Sequence, residues 1–334
     1  MGATSRIGRR TLALAVAIPI VAFFVVFGVS LLAFSLDDDP AGAPTTKPKP
    51  TTDEPARALG EGILVTSLES QGTGFVTATI AMVPLDGSGS EPITSPPEGR
   101  GAYDAAPTLS PDDKTVAFWR VREPRRRGGA TPRVYVVGID GTGLRPLTRG
   151  PAVELAPTWS GDGDRLAFSR RVGKRFALVV SHADGSNVLE ITQPPKGAND
   201  FDPAWAPDGD RIVFTRSVDD HGDLWIAKPD GSGAEPLLEG EHDDSTPAWS
   251  PDGQRIAFVR DGHIAVADAE GQDVQVITDD PTATDWRPSW SADGSRIVFS
   301  RDPGEVFVVD PDGKNLTQVE MEERAAGATW GPGS

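Results

Sequence analysis

One fifteen-residue pattern returns five times along the chain, and its recurrence restricts the fold more than any single motif does. It reads APTLSPDDKTVAFWR from Ala106, APTWSGDGDRLAFSR from Ala156, DPAWAPDGDRIVFTR from Asp202, TPAWSPDGQRIAFVR from Thr246 and RPSWSADGSRIVFSR from Arg287. A shortened sixth copy, GATWGPGS, begins at Gly327. A period of about 40–50 residues marks a supersecondary unit that buries its apolar face only against further copies of itself.

Each copy reads as a β-hairpin. In PAWSPDGQRIAFVR, Pro251 suits the first central position of a type I turn, while Asp252 and Gly253 supply a side-chain hydrogen bond and a left-handed residue. The strand that follows alternates with period two, Ile256 and Phe258 against Ala257 and Val259, so one face packs on a neighbouring sheet. A second hairpin follows each time, its turn marked by Asp86-Gly87, Asp140-Gly141, Asp184-Gly185, Asp230-Gly231, Glu270-Gly271 and Asp312-Gly313. Four short antiparallel strands per unit make a propeller blade. The first of these turns has no PxW strand before it, and Ala328-Thr329-Trp330 has no hairpin after it. The two fragments together complete a blade, which predicts an all-β, six-bladed β-propeller over 59–334, closed by the strand at Trp330 and leaving no open edge.

The motifs WSPDGQRIAF, WSADGSRIVF and WAPDGDRIVF, each with its later Asp-Gly turn, resemble the TolB-like β-propeller repeat across residues 60–334. They differ from WD-type repeats, lacking the Gly-His and Trp-Asp pairs in register. The resemblance implies an extracytoplasmic envelope protein that works by contact with other proteins. TolB proteins carry an N-terminal α/β domain before the propeller, whereas here a linker and an apolar run stand in its place. Propellers of this type also sit on prolyl oligopeptidase-type peptidases, but no G-x-S-x-G elbow or room for a hydrolase domain is expected in this chain.

No charge interrupts Thr11 to Leu36, long enough for a slightly tilted membrane span. Arg6, Arg9 and Arg10 precede it and Asp37, Asp38 and Asp39 follow, so the positive-inside rule predicts a cytoplasmic tail at 1–10, a transmembrane helix at 11–36 and an extracytoplasmic propeller. A cleaved signal peptide is the competing reading. Residues 37–58 form a Pro- and Thr-rich disordered linker. Lys+Arg 32 against Asp+Glu 49 gives a net charge of -17, the wrong sign for a nucleic-acid partner. With no Cys, thiol chemistry and thiolate metal sites are excluded.

Three residues before each motif proline stands an acid, Asp104, Glu154, Asp200, Asp244 or Asp285. Sixteen residues after each acid stands an arginine, Arg120, Arg170, Arg216, Arg260 or Arg301. Hairpin register brings the two together, which predicts a five-membered ring of ion pairs near the channel mouth, with both partners replaced in the closing blade by Ala325 and Ser67. As exposed pairs each would contribute on the order of 1 kcal/mol or less. The acids could instead line a path for a cation or basic ligand. His221, His242 and His263 fall in loops on the mouth face near Asp219, Asp220, Asp243 and Asp244, while His182 falls near a second-hairpin turn. Without ligand spacing for zinc or calcium, no metal or cofactor is assigned. The repeated Trp159, Trp205, Trp249, Trp290 and Trp330, with Leu109 in the remaining copy, are expected between blades. A basic loop, Arg120, Arg122, Arg125, Arg126 and Arg127, is expected in solvent.

No catalytic residue is assigned. The functional expectation is a membrane-anchored, non-enzymatic scaffold binding an envelope protein or peptide through these mouth-face residues. A ligand-sensing ectodomain with a membrane partner and a metal-dependent propeller hydrolase or lactonase are the alternatives.

Overall fold

The repeat turns form as their residues dictate. The Gly253 amide donates to the Ser250 carbonyl at 2.9 Å, with Pro251 and Asp252 between them and Gly253 at φ +69°, a conformation that Gly adopts without steric penalty. The Ser250 hydroxyl donates to Asp252 Oδ1 at 2.6 Å and the Gln254 amide donates to the same oxygen at 3.0 Å. The same seryl bond recurs at Asp112, Asp162 and Asp293. At Asp293 the hydroxyl of Ser291, followed by the Ser295 amide, holds the carboxyl down at about 2.

The structure, a computed structural model, describes residues 62–70, 76–86, 89–95, 102–122, 131–321 and 323–331. The expectations for the tail, the membrane span, the linker and Arg125–Arg127 lie outside them. Among the described residues no helix is long and apolar enough to cross a membrane. All regular structure there is β, in 24 strands. The chain opens with β1 (Gly62–Ser70), β2 (Val76–Pro84) and β3 (Glu91–Pro92). There follow β4 (Tyr103–Leu109), β5 (Thr115–Val121), β6 (Arg133–Gly138) and β7 (Arg145–Pro146), then β8 (Glu154–Trp159), β9 (Arg165–Val172), β10 (Arg175–His182) and β11 (Leu189–Glu190). The next group is β12 (Ala198–Trp205), β13 (Ile212–Val218), β14 (His221–Ala227) and β15 (Ala234–Leu238), followed by β16 (Asp244–Trp249), β17 (Arg255–Arg260), β18 (His263–Asp268) and β19 (Gln275–Val276). The last strands are β20 (Asp285–Trp290), β21 (Ile297–Arg301), β22 (Glu305–Val309), β23 (Thr317–Val319) and β24 (Arg324–Trp330).

Four of these groups are separate four-stranded antiparallel sheets, β8–β11, β12–β15, β16–β19 and β20–β23. The remaining strands form one eight-stranded sheet, ordered β24-β1-β2-β4-β5-β6-β7 with β3 on β2. Six separate four-stranded sheets were expected, and here the structure differs. A parallel bridge between Ala78 and Tyr103 joins β2 to β4, because the edge of the first hairpin lies close enough to the next inner strand to share a ladder position. The closing strand is where the repeat arithmetic places it: β24 pairs with β1 antiparallel, from Ile63 opposite Trp330 to Leu68 opposite Arg324. The first strands of successive units touch in a closed cycle, β4 to β8, β12, β16, β20, β24 and back to β4.

Between units the core follows the period-two pattern. Phe118, Phe168, Phe214, Phe258 and Phe299 are fully buried, and the first four pack toward the preceding unit, as Phe118 does on Leu64, Ile80 and Met82. Burying each such ring contributes roughly 1.5–3 kcal/mol. The repeated tryptophans also lie between units: Trp205, Trp249, Trp290 and Trp330 are buried, and Trp159 is half-buried. Over four of them stacks an arginine from the preceding unit, Arg165 on Trp205 at 4.6 Å, Arg211 on Trp249 at 4.8 Å, Arg255 on Trp290 at 4.7 Å and Arg296 on Trp330 at 4.8 Å. The residue before Trp159 in this scheme is Thr115, which carries no cation. Thr115→Arg should therefore add a fifth stack and raise stability by about 0.5–1 kcal/mol, the range for such a contact at a partly exposed ring. Urea unfolding of the variant measures it, and a loss of stability would show that the stack depends on more than these two positions.

Candidate binding site at the channel mouth

The acid of each unit opens or nearly opens its first strand and the arginine ends or nearly ends its second, so the ladder places them opposite each other. Asp104 pairs with Arg120, Glu154 with Arg170, Asp200 with Arg216, Asp244 with Arg260 and Asp285 with Arg301. All five form ion pairs. Four are two-pronged forks, such as Arg216 Nε to Asp200 Oδ1 at 2.7 Å and Nη2 to Oδ2 at 2.9 Å. Arg170 instead places both nitrogens on Glu154 Oε1, at 3.1 and 2.6 Å. In the unit of β1 and β24 the corresponding pair is Ser67 opposite Ala325, so both partners are absent together, as expected.

The expectation of exposed pairs is corrected. The five acids are at most 2% exposed, and Arg120, Arg216 and Arg301 are buried as well. Each arginine lies over the Phe two residues before it, at 5.3–5.6 Å. Thr94 and Thr148, at the ends of preceding units, donate their hydroxyls to Asp104 and Glu154. Burial pushes the Asp104 and Asp244 carboxyls up against the pull of their arginines, while the bond to Asp244 pushes Arg260 further up. With their oxygens turned onto arginine and threonine in the packed seams, these acids do not line a path for a cation. Arg120 belongs to this buried set and not to a solvated basic loop; Arg122 is exposed and lies 5.5 Å from the Tyr135 ring.

Two residues after each acid the backbone turns left-handed, at Ala106, Ala156, Asp202, Thr246, Arg287 and Gly327, with φ between 47° and 58°. The ladder register slips just there, as between Phe201 and Ala204, so each first strand carries a β-bulge. These six positions face the axis of the strand cycle. A Cβ on Gly327 would lie 3.7 Å from Arg287 Cδ and 3.8 Å from Ala106 Cα, and Arg287 Nη1 reaches Asp202 Oδ1 at 3.6 Å. The channel wall is therefore two-sided. Consecutive strands β12, β16 and β20 present Asp202, Thr246 and Arg287, whereas β24, β4 and β8 present Gly327, Ala106 and Ala156.

The polar half is under-bonded. The Thr246 hydroxyl is buried and has no hydrogen-bond partner among the described residues. Among the described residues Asp202 and Arg287 make only their 3.6 Å contact, too long for the fork that four of the structural pairs make. Loss of water pushes the Asp202 carboxyl up and the Arg287 guanidinium down, each partly offset by the other. None of these three residues stands out in the repeat as a candidate site. The signal is the residue before the motif proline, which varies in charge between the constant proline and the acid three residues ahead of it.

The TolB beta propeller domain model matches residues 62–251 and 105–334, together most of the chain. The chain belongs to the TolB beta propeller family. The TolB crystal structure from Acinetobacter baumannii superposes with a TM-score of 0.65 at 18% identity, covering 80% of this chain and 66% of that one. A TolB candidate from Agrobacterium tumefaciens gives a TM-score of 0.59 at 20% identity, covering 80% and 91%. Dipeptidyl-peptidase 5 of Porphyromonas endodontalis is 29% identical over 90 residues, 27% of this chain and 13% of the peptidase. That match thus spans a small part of the peptidase's length.

In this TolB-type propeller only one of the three histidines expected in mouth-face loops, His242, lies between strands, whereas His221 and His263 open β14 and β18, and His182 ends β10 before the second-hairpin turn. His242 Nδ1 lies 2.6 Å from Asp261 Oδ2, and His221 Nε2 lies 3.2 Å from the Gly240 carbonyl. His263 is half-buried with Nδ1 unpartnered among the described residues. His182 is exposed beside Ser186 and Asn187. The Asp243 amide, then His242, hold the Asp261 carboxyl below its usual range. Among the described residues no three His, Asp or Glu side chains gather closely enough to hold a metal ion.

Proposed function

We propose that this TolB-type propeller is a non-enzymatic scaffold that binds an envelope protein or peptide over the channel mouth. In this reading the eight-stranded sheet counts as two blades, making a six-bladed ring, and the apolar run 11–36 anchors it with the propeller outside the cytoplasm. The observation that carries the reading is the under-bonded wall of Asp202, Thr246 and Arg287. The Thr246 hydroxyl is buried without a partner among the described residues, which is costly, and Asp202 and Arg287 stay 13% and 25% exposed beside it, open to a docking chain that supplies a partner to the hydroxyl, a carboxylate to Arg287 and a donor to Asp202. The rim offers His242 and His263 beside it, and the five buried ion pairs hold the first strands that shape it.

The test is a photo-crosslinker at Thr246 in the full-length protein in intact cells. The expected result is one specific envelope protein, lost in Asp202→Ala and in Arg287→Ala while the thermal unfolding profile persists. Crosslinks that are unchanged in both variants, or none above background, overturn the reading.

A further inference from the structure

The loops that follow the second and the fourth strand of each unit lie at the same end as the acid and arginine pairs, because antiparallel strands alternate in direction. They form the rim of the mouth, and their charges divide it in two. Around β4–β11 the exposed charges are cations: Arg149 between β7 and β8, Arg171 and Lys174 at the tip of the β9–β10 hairpin, and Lys196 between β11 and β12. The described loops there carry no exposed acid. Arg175 is spent on Glu190 at 3.3 Å, whereas these four form no ion pair among the described residues. Around β12–β23 the sign reverses. Asp219 and Asp220 stand at the β13–β14 turn, Glu239 and Glu241 between β15 and β16, and Asp279 between β19 and β20, all exposed. No Lys or Arg occurs in the rim loops of these three units. Solubility alone calls for both signs interspersed, and here they are sorted.

The first strands follow one another around the cycle as β4, β8, β12, β16, β20 and β24, so the two sectors are each contiguous and share a border between Lys196 and Asp219. A face with one sector of each sign is complementary to itself. A copy turned over by a two-fold axis that lies in the rim plane along this border sets its cations over the acids of the first. The same operation sets its acids over the first copy's cations, so the contact is closed and uses one surface twice. We propose that the mouth rim is a self-association surface on which a second copy of this chain docks face to face. The sorted signs fix the register, because other rotations bring like charges together. The net charge of -17 repels two copies at long range, so the pair is reversible. The inference goes beyond the channel reading and uses none of Asp202, Thr246 and Arg287. A copy seated here covers the mouth, so self-association and the docking of a partner exclude each other.

The test is sedimentation velocity of the full-length protein in detergent, with two charge-reversed variants at exposed loop positions. One carries Arg149→Glu, Lys174→Glu and Lys196→Glu; the other carries Glu239→Lys, Glu241→Lys and Asp279→Lys. The wild-type chain should form a reversible dimer. Each variant alone should raise the dissociation constant about tenfold or more, because one sign then faces itself. Mixed in equal amounts, the two variants should pair as tightly as the wild type, since every contact again joins opposite charges. Thermal unfolding of each variant, expected to match the wild type, separates lost charge from lost fold. A wild-type chain that stays monomeric, a dimer that neither variant weakens, as one held by the apolar run 11–36 would be, or folded variants that do not rescue each other would each overturn the proposal. Arg287→Ala should dimerise unchanged, and loss of the dimer in it would move the contact into the channel. The channel reading stands or falls separately, on the crosslink at Thr246.

Discussion

Deleting residues 324–334 should unfold the propeller and not merely shorten it. The deletion removes the partner of β1 along the register from Ile63 to Leu68 and takes out Ala325, Ala326, Ala328 and Trp330, all buried. It also removes the Trp330 indole that donates to the Ser289 carbonyl at 2.9 Å and lies under Arg296 at 4.8 Å. Truncating one buried tryptophan costs about 3–5 kcal/mol. Losing a whole strand as well brings the total to the order of an ordinary domain's entire stability, about 5–15 kcal/mol. Calorimetry should show no cooperative transition or one shifted down by tens of degrees. An unchanged melting temperature would refute ring closure through β24.

Arg216→Ala should be the most damaging single change in the seams. It leaves Asp200, 0% exposed, without the guanidinium that satisfies both of its oxygens. It also strips a cation from the Trp225 ring at 4.1 Å. Breaking a buried pair by removing one partner costs about 3–5 kcal/mol, whereas replacing both with apolar groups of similar volume is often neutral. Guanidinium unfolding should therefore show a loss in that range, with most of it recovered in Arg216→Met combined with Asp200→Leu. A loss below about 1 kcal/mol would mean that the pair behaves as a surface contact.

The parts of the fold legible in the sequence are those that repeat. The Pro-Asp-Gly turn, the strand alternation at Ile256 and Phe258, the sixteen-residue spacing of acid and arginine and the orphan strand at Trp330 all derive from local rules applied several times over. Burial of the ion pairs was not legible, because Asp200 and Arg216 are charged and look like surface residues one copy at a time. Their covering comes from aromatic rings, and at Asp104 and Glu154 also from Thr94 and Thr148 at the ends of the preceding units. The channel wall escaped for the opposite reason. Ala106, Ala156, Asp202, Thr246, Arg287 and Gly327 share a backbone conformation but no chemistry, and a search for repetition passes over positions where the units differ. The Ala78–Tyr103 bridge is a single close approach between neighbouring units, which no pattern in either strand announces.

Closure through β24 also sets a timetable. β1 and the strand that completes its sheet are separated by some 250 residues, read from Ser70 and Arg324. At a synthesis rate of about 5–20 residues per second, β1 waits on the order of tens of seconds for its partner. Throughout that interval one edge of the first hairpin offers unpaired amides and carbonyls, the template on which strands of other chains can add. The newborn propeller is thus most vulnerable at its first-made strand, and whatever shields that edge during synthesis governs how much of it reaches the closed ring.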